Sequence, residues 1–258
     1  MKKRNKIKKV TSKKKQVKPK NTHAWRLCPP GEHWRRTHPL RIPPSKKNPA
    51  GGVTTRHGHC VLNPTGKDQL YPDEIQEMTE QNFSKVKERP CPIDMGFVGK
   101  NNGNQYDDLI AGWTKYWNDV LKPETPLDPD IVKALIATES GFRPEILADK
   151  KDKNSARGLM QITNDTRKIL GDEKGELKDH YLTLTREDLN NPSNNICAGI
   201  RWLFRKRAIA SSLLKRTATW EESVAEFKGT RTTTTARAAE LMAEFNGRLE
   251  ALKKCGKP

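Results

Sequence analysis

The stretch ALIATESGFRPEILADKKDKNSARGLMQI, residues 134–162, decides how this chain is interpreted, because it places a carboxylate beside an apolar surface. The helical stripe that enters this stretch consists of Val132, Leu135 and Ile136. The next position on the same stripe, three and four residues further on, is Glu139. Glu139 is therefore predicted to face the core side of a helix rather than water.

The ends of this helix carry residues with known capping preferences. Asp128 stands at the N-cap position, and Pro129 stands at the first helical position, where its missing N–H is not needed. Gly141 and Pro144 disfavour any continuation of the helix. The pattern predicts a helix over residues 128–140.

The position of Glu139 leaves two interpretations open. A carboxylate held against apolar surface has its charged form disfavoured, which suits a general acid that must protonate a leaving glycosidic oxygen. The other interpretation is a boundary glutamate whose carboxylate reaches solvent or caps a neighbouring helix, since buried acids are rare.

The rest of the second half of the chain is also helical in pattern. In residues 106–121 an acidic first turn precedes an apolar stripe of Leu109, Trp113, Trp117 and Val120. Further helices are predicted over 158–170, 193–208, 219–228 and 232–253. The last has an apolar face of Leu241, Met242, Phe245, Leu249 and Leu252. Thr219 and Glu222 form a capping-box pattern, and no convincing alternating strand appears, so we predict an all-α domain.

Composition divides the chain into three parts. Hydrophobic residues make up 33% and charged residues 31% of the 258 residues, so much of the chain is expected at the surface or loosely ordered. Residues 1–20 carry ten Lys and one Arg without an acid, which supplies +11 of the net charge of +18. We predict a disordered polybasic tail over 1–20, an irregular Pro/His/Cys-rich module over 21–105 with one short helix opening at YPDEIQEM, and the helical domain over 106–258.

The basic tail can be a solvated segment, or it can contact a polyanion such as nucleic acid, lipopolysaccharide or teichoic acid. It has no aromatic residues to stack on bases, which disfavours nucleic acid. No apolar run follows it, so a Sec signal is not predicted. No stretch reaches the roughly 18 consecutive apolar residues of a membrane span.

The five cysteines are too few and too scattered to predict a disulfide framework. In the front module, Cys28, His57, His59 and Cys60 are weak candidates for a zinc site, because the spacing lacks a CxxC or HxxxH pair. A Cys28–Cys60 disulfide and simple polar packing of the histidines are the alternatives, and both are favoured over zinc. No cofactor is predicted.

Three pieces of the helical half carry a resemblance to a known family. The first is Glu139-Ser140-Gly141-Phe142, and the second is the run GLMQI at 158–162 with Thr166 after it. The third is Asn195-Ile196-x2-Gly199-x2-Trp202-Leu203. In this order and context they resemble the soluble lytic transglycosylase (SLT) domain and its relative, goose-type lysozyme. The resemblance covers roughly residues 106–230 and does not extend to 1–105.

This resemblance implies a mainly α, lysozyme-like fold with a cleft for peptidoglycan glycan strands. It implies that Glu139 is the catalytic acid/base, which cuts the β-1,4 bond between N-acetylmuramic acid and N-acetylglucosamine. The substrate-binding positions implied by the family motifs are Ser140, Met160, Gln161, Ile162 and Phe227.

One departure from the family concerns the element after the third motif. The family usually has Ala-Tyr-Asn-(Ala)-Gly there, with a tyrosine hydroxyl near the catalytic acid, and this chain has Ala225-Glu226-Phe227-Lys228-Gly229. Phe227 keeps the ring and loses the hydroxyl. We expect weaker activity or another group in place of the hydroxyl.

The loop between the first two motifs decides between lyase and hydrolase. Hydrolysis with inversion needs a second carboxylate to activate water, whereas the intramolecular transglycosylase reaction does not. Asp152 resembles an acidic residue in that loop of goose-type lysozymes, and it can equally be a charged residue of a solvated loop. We predict mainly a lytic transglycosylase and keep a muramidase open.

The site of action follows from the implied substrate, because peptidoglycan lies outside the cytoplasm. Without a Sec signal, the expectation is an antibacterial effector delivered by a type VI-like machine to the periplasm of a target bacterium, with an immunity protein and a secretion component as partners. A phage endolysin is the alternative route. A catalytically inactive protein that binds the wall or a polyanion is the rival class, whereas the absence of HExxH, Walker and paired CxxC patterns disfavours a metal-dependent or nucleic-acid enzyme.

Overall fold

The structure is a computed structural model that describes residues 25–177 and 180–255. The predicted polybasic tail lies outside the described residues. Seven α-helices occur in the described part of the chain: α1 Pro72–Asn82, α2 Asp107–Leu121, α3 Pro129–Ser140, α4 Asn164–Gly171, α5 Pro192–Leu214, α6 Trp220–Phe227 and α7 Ala236–Lys254. Six short strands accompany them: β1 Glu32–Arg35, β2 His38–Ile42, β3 Gly52–Arg56, β4 His59–Leu62, β5 Gln69–Leu70 and β6 Tyr181–Leu182.

The prediction of a mainly α fold is confirmed, and the caps that defined α3 and α6 are present. The Asp128 side chain accepts a hydrogen bond from the Asp130 N–H, and α3 ends at Gly141 with φ +56°. At the start of α6, Thr219 and Glu222 form the capping box. These helices therefore begin and end where local side-chain chemistry predicts.

The predicted helix over 158–170 is wrong in its first half, because α4 begins only at Asn164. Gly158 and Gln161 have left-handed φ values of +73° and +48°, which no α-helix accommodates. Arg157 and Ile162 pair instead across an isolated antiparallel bridge. The GLMQI run is therefore a tight turn that leads into α4.

The core forms where α2, α3, α5 and α7 pack together. On α2, Trp113 and Trp117 are fully buried as predicted, and the buried face also includes Ile110 and Tyr116. On α7, the predicted face is buried at Phe245, Leu249 and Leu252. This packing fixes the end of α3, where Glu139 lies, because the α3 residues 131–137 are all buried.

The front module is less irregular than predicted. Strands β1 and β4 pair antiparallel, β2 and β3 form a second antiparallel pair, and β5 pairs in parallel with β6 of the helical half. The predicted helix at YPDEIQEM is confirmed as α1. The sequence does not predict β2 and β3, because these strands are largely exposed and show no apolar alternation.

Residues on both sides of the predicted boundary at 105/106 share one hydrophobic core. Phe83 packs so tightly on Gly112 of α2 that a Cβ at 112 would lie 2.2 Å from its ring. Within the front module, Arg26 forms a buried pair with Glu74 of α1 through two hydrogen bonds of 2.8 and 2.7 Å. The module therefore anchors one side of the helical domain.

The prediction that the cysteines form no disulfide framework is wrong. Cys28 is bonded to Cys60, and Cys91 is bonded to Cys255, so the front module is tied to the end of α7. Cys197 is free and buried in α5. Within the described residues, no helix has the length and apolar character needed to cross a membrane.

Candidate active site

Glu139 lies in the last turn of α3, one residue before the helix ends. Its side chain is 17% exposed, and its Oε1 accepts a hydrogen bond from Lys228 Nζ at 2.6 Å. The Lys228 side chain is only 4% exposed. The carboxylate is therefore half-buried and paired with an ammonium, whereas the sequence predicted an apolar surrounding.

The turn after α6 carries Lys228 to this position. The Lys228 N–H donates to Val224 O at 2.9 Å, which keeps the residue in helical conformation. The next residue, Gly229, has φ +69°, and Thr230 N–H donates to Ala225 O at 2.8 Å. A left-handed glycine with returning hydrogen bonds is a common helix end, and it fixes the base of the lysine side chain.

Lys228 is the residue at the candidate site that the sequence did not predict. It follows directly after Phe227, the position expected to lose the hydroxyl of the family's tyrosine. Phe227 is partly buried and packs against the hydrophobic core. A hydrogen-bond donor to Glu139 is therefore present, and it is supplied by Lys228, the residue after Phe227. The lysine in the run AEFKG was the sequence feature that could have indicated it.

Most of the predicted substrate-binding side chains are buried. Ser140 is 1% exposed and donates its hydroxyl to Ile136 O at 3.3 Å, while Met160 and Ile162 are 0% and 1% exposed. Gln161 is half-buried, and its Nε2 donates to Gly158 O at 2.8 Å. Ser140, Met160 and Ile162 therefore pack into the core, and their predicted role in substrate binding stays a prediction.

Asn195 joins the second motif to the third. Its Oδ1 accepts from the Met160 N–H at 2.7 Å, and its Nδ2 donates to Arg157 O at 3.0 Å and Leu189 O at 2.9 Å. The side chain is fully buried. Because all of these hydrogen bonds are made inside the protein, Asn195 fixes the GLMQI turn against α5.

Asp152 lies on an exposed loop. Its Oδ1 accepts from the Asn154 N–H at 2.8 Å, and its carbonyl accepts from the Ser155 N–H at 3.1 Å. The loop is closed at its base by Ala148 N–H, which donates to Ala156 O at 2.9 Å. The carboxylate has a local role as a turn-forming group.

The thiolates of the zinc alternative are not available as ligands, because Cys28 and Cys60 are joined in a disulfide. One of the two favoured alternatives, a Cys28–Cys60 disulfide, is confirmed. The His59 ring Nδ1 lies 2.8 Å from the His57 carbonyl oxygen. In the part of the chain that the structure describes, no group of three or more His, Cys, Asp or Glu residues is placed to hold a metal ion.

Two cavities lined by described residues lie away from Glu139. One of about 570 Å³ lies between the front module and the end of α2, next to Lys67 and Val120. The other, of about 560 Å³, lies beside the start of α3 and is lined by Asp128 and Trp220. Glu139 lines neither, and we place the candidate site at the Glu139–Lys228 pair because the first motif supplies the carboxylate and the Lys228 ammonium is hydrogen-bonded to it.

The helical fold and this arrangement define a mainly α, lysozyme-like domain. The family model of the transglycosylase SLT domain matches residues 120–221, which include Glu139 and all three motifs but not Lys228. Residues 120–221 are therefore similar to the SLT domain, whose family comprises peptidoglycan lytic transglycosylases, enzymes of the lyase class. Among curated proteins, none matches the chain.

Proposed function

We propose that this protein is a lytic transglycosylase that cuts the β-1,4 bond between N-acetylmuramic acid and N-acetylglucosamine, with Glu139 as its single acid/base. The SLT domain supports a peptidoglycan-cleaving activity of this type. The observation that carries the residue assignment is the position of Glu139, whose half-buried carboxylate ends α3 inside the matched region.

The reaction needs one group that first gives and then takes a proton. In the first step the Glu139 carboxyl protonates the glycosidic oxygen, the bond from that oxygen to muramic C1 breaks, and its electron pair stays on the departing oxygen. In the second step the Glu139 carboxylate takes the proton of the muramic 6-hydroxyl, whose oxygen bonds to C1. The product is a 1,6-anhydro sugar, and Glu139 returns to its protonated state.

The hydrolase alternative, a goose-type-like muramidase, would use water in place of the 6-hydroxyl. It would need a second carboxylate, and Asp152 is the candidate. The exposed position of Asp152 and its turn-forming hydrogen bond favour the lyase. We therefore assign Asp152 no part in the proposed chemistry.

The two disulfides support a site of action outside the cytoplasm. Disulfides persist in oxidising compartments and are rare in the cytosol, and one of them joins residues 164 positions apart. Peptidoglycan also lies outside the cytoplasm. The proposal extends to an antibacterial effector, delivered by a type VI-like machine to the periplasm of a target bacterium and neutralised by an immunity protein, with a phage endolysin as the alternative.

A zymogram on purified peptidoglycan tests the assignment of Glu139. Wild type is expected to clear the gel and Glu139→Gln to leave it intact. The matched control is Glu145→Gln, because Glu145 is an exposed glutamate in the turn after α3. Clearing by Glu139→Gln would contradict the assignment. Absence of clearing by the wild type, with binding to the wall retained, would favour the rival class of an inactive binding protein.

A further inference from the structure

The ammonium of Lys228 has unused hydrogen-bonding capacity at the candidate site. A lysine ammonium carries three N–H donors. One is directed at Glu139 Oε1, and within residues 25–177 and 180–255 the structure records no second acceptor for it. Because the side chain is 4% exposed, water has little access to the remaining donors.

Burying an ammonium with one partner is costly, since a charge removed from water needs pairing and further hydrogen bonds. The fold nevertheless holds Lys228 there through the hydrogen-bonded turn at Gly229. A buried donor that is held in place next to a reactive carboxylate is suited to a ligand that supplies the missing acceptor.

The other acidic residue at the end of α6, Glu226, pairs with other cations and not with Lys228. Glu226, two residues earlier, is already paired with Arg231 Nε at 2.6 Å and with Lys206 Nζ at 3.7 Å. Glu226 therefore does not compete for the Lys228 ammonium. Lys228 and Glu139, which are 89 residues apart in sequence, therefore form a charged contact between the end of α6 and the end of α3.

We propose that Lys228 is a second polar residue of the glycan site, which fixes the Glu139 carboxyl and donates a remaining N–H to an uncharged oxygen of the glycan. This inference rests on the proposed function of Glu139. Once Glu139 has given up its proton, its carboxylate balances the charge of the ammonium, so a neutral acceptor, such as an acetamido carbonyl or a sugar hydroxyl, fits better than a second anion.

Lys228 also has a consequence for the proton transfer. When Glu139 has delivered its proton, the carboxylate and the ammonium form a neutral pair in a site with little water, where such a contact is strong. The pair therefore stabilises the state that follows departure of the leaving group. Glu139 exchanges the proton with the glycan in both steps, and the ammonium keeps its three protons throughout.

Lys228→Met and Lys228→Arg test the inference. Loss of a hydrogen bond to a charged group predicts a fall in kcat of about 10- to 150-fold for Lys228→Met. A rise in KM for glycan is also expected, because the donor to the substrate is lost. Lys228→Arg keeps a cation and its donors and should recover most of the activity. Unchanged activity in Lys228→Met would overturn the inference. Higher activity would also overturn it, because it would mean that the lysine hinders Glu139.

The matched control is Lys206→Met. Lys206 is also a largely buried lysine paired with a glutamate of α6, and its ammonium lies over the Trp202 ring at 5.3 Å. It should change kcat by less than about threefold, as expected when no substrate contact is removed. Thermal unfolding of each variant shows whether loss of activity follows loss of structure.

A binding measurement separates this inference from the proposed function. In the Glu139→Gln background, isothermal titration with a peptidoglycan glycan fragment of two disaccharide repeats should give an affinity that falls about tenfold on adding Lys228→Met. Equal affinities would overturn the contact with glycan even if Glu139 proves essential. If Glu139→Gln remains active while Lys228→Met lowers affinity, the proposed chemistry fails and the binding role of Lys228 stands.

Discussion

Gly199 of α5 lies against Met160 of the GLMQI turn so closely that a Cβ at 199 would come 2.3 Å from Met160 Sδ and 2.6 Å from its Cβ. Both residues belong to the motifs that define the domain. This contact explains why the position holds glycine inside a 23-residue helix, where glycine is otherwise unfavourable.

Gly199→Ala is expected to lower the free energy of unfolding by about 1 to 3 kcal/mol, because the added methyl overpacks a fully buried contact. Gly247→Ala is the control: Gly247 lies on the exposed side of α7 with no atom near its Cβ position. That change should stabilise the protein by about 0.5 to 1 kcal/mol through helix propensity. Urea denaturation measures both, and equal effects of the two changes would contradict the close packing.

The Asp107 carboxyl, which is paired with Lys133, is expected to make the stability of the protein depend on pH. Burial at the start of α2 raises the pKa of Asp107 from 3.8 to about 6, although the hydrogen bond from Lys133 opposes the rise. Since this pKa is higher in the folded protein, the contribution of Asp107 to stability is full below about pH 4 and is lost as the pH rises through about 6. Wild type should therefore gain stability relative to Asp107→Asn as the pH falls from 7 to 4.5.

Unfolding free energies of the two proteins across this range provide the measurement. Asp165→Asn is the control, because Asp165 lies on α4, is exposed, and pairs with Lys168 on the surface. Its difference from wild type should stay nearly constant over the same range. A constant difference for Asp107→Asn as well would show that the carboxyl is not desolvated.

The Cys91–Cys255 disulfide is expected to stabilise the whole protein. It closes a long loop, and removing a disulfide of this kind costs about 2 to 4 kcal/mol, mainly by releasing the unfolded chain. The double variant Cys91→Ser/Cys255→Ser should lose that amount in urea denaturation without reductant. If wild type and variant unfold at the same urea concentration under oxidising conditions, the bond does not form in solution.

Asp152→Asn distinguishes the lyase from the hydrolase. Because the side chain is exposed and bonds only to its own loop, the change should alter the rate of muropeptide release by less than about twofold. The products should also be unchanged. Loss of release, together with wild-type products that carry reducing ends, would instead support Asp152 as the base of a muramidase.

The sequence was sufficient to predict the helices whose ends are determined by neighbouring residues. Asp128, Pro129 and Gly141 define α3 within one residue of its observed bounds, since N-caps and a left-handed glycine act locally. The start of α4 was predicted wrongly because the conformation of Gln161 depends on Asn195, which binds the turn from another helix. The helix propensities of residues 158–163 give no information about a hydrogen bond from Met160 to a residue of α5.

The candidate site was predictable only in part for the same reason. Glu139 stood out by its place on an apolar stripe, but its partner lies 89 residues away on another helix. The burial of Ser140 and Met160 likewise depends on packing that no motif reveals. The disulfide between Cys91 and Cys255 joins segments that only the complete fold brings together.

The mass of the products released from purified peptidoglycan tests the central claim most directly. Wild type should release muropeptides with 1,6-anhydro ends, each lighter by one water than its hydrolysed counterpart, and folded Glu139→Gln should release none. Reducing-end products from the wild type, or anhydro products from Glu139→Gln at the wild-type rate, would contradict the account of Glu139 as the single acid/base of a lytic transglycosylase.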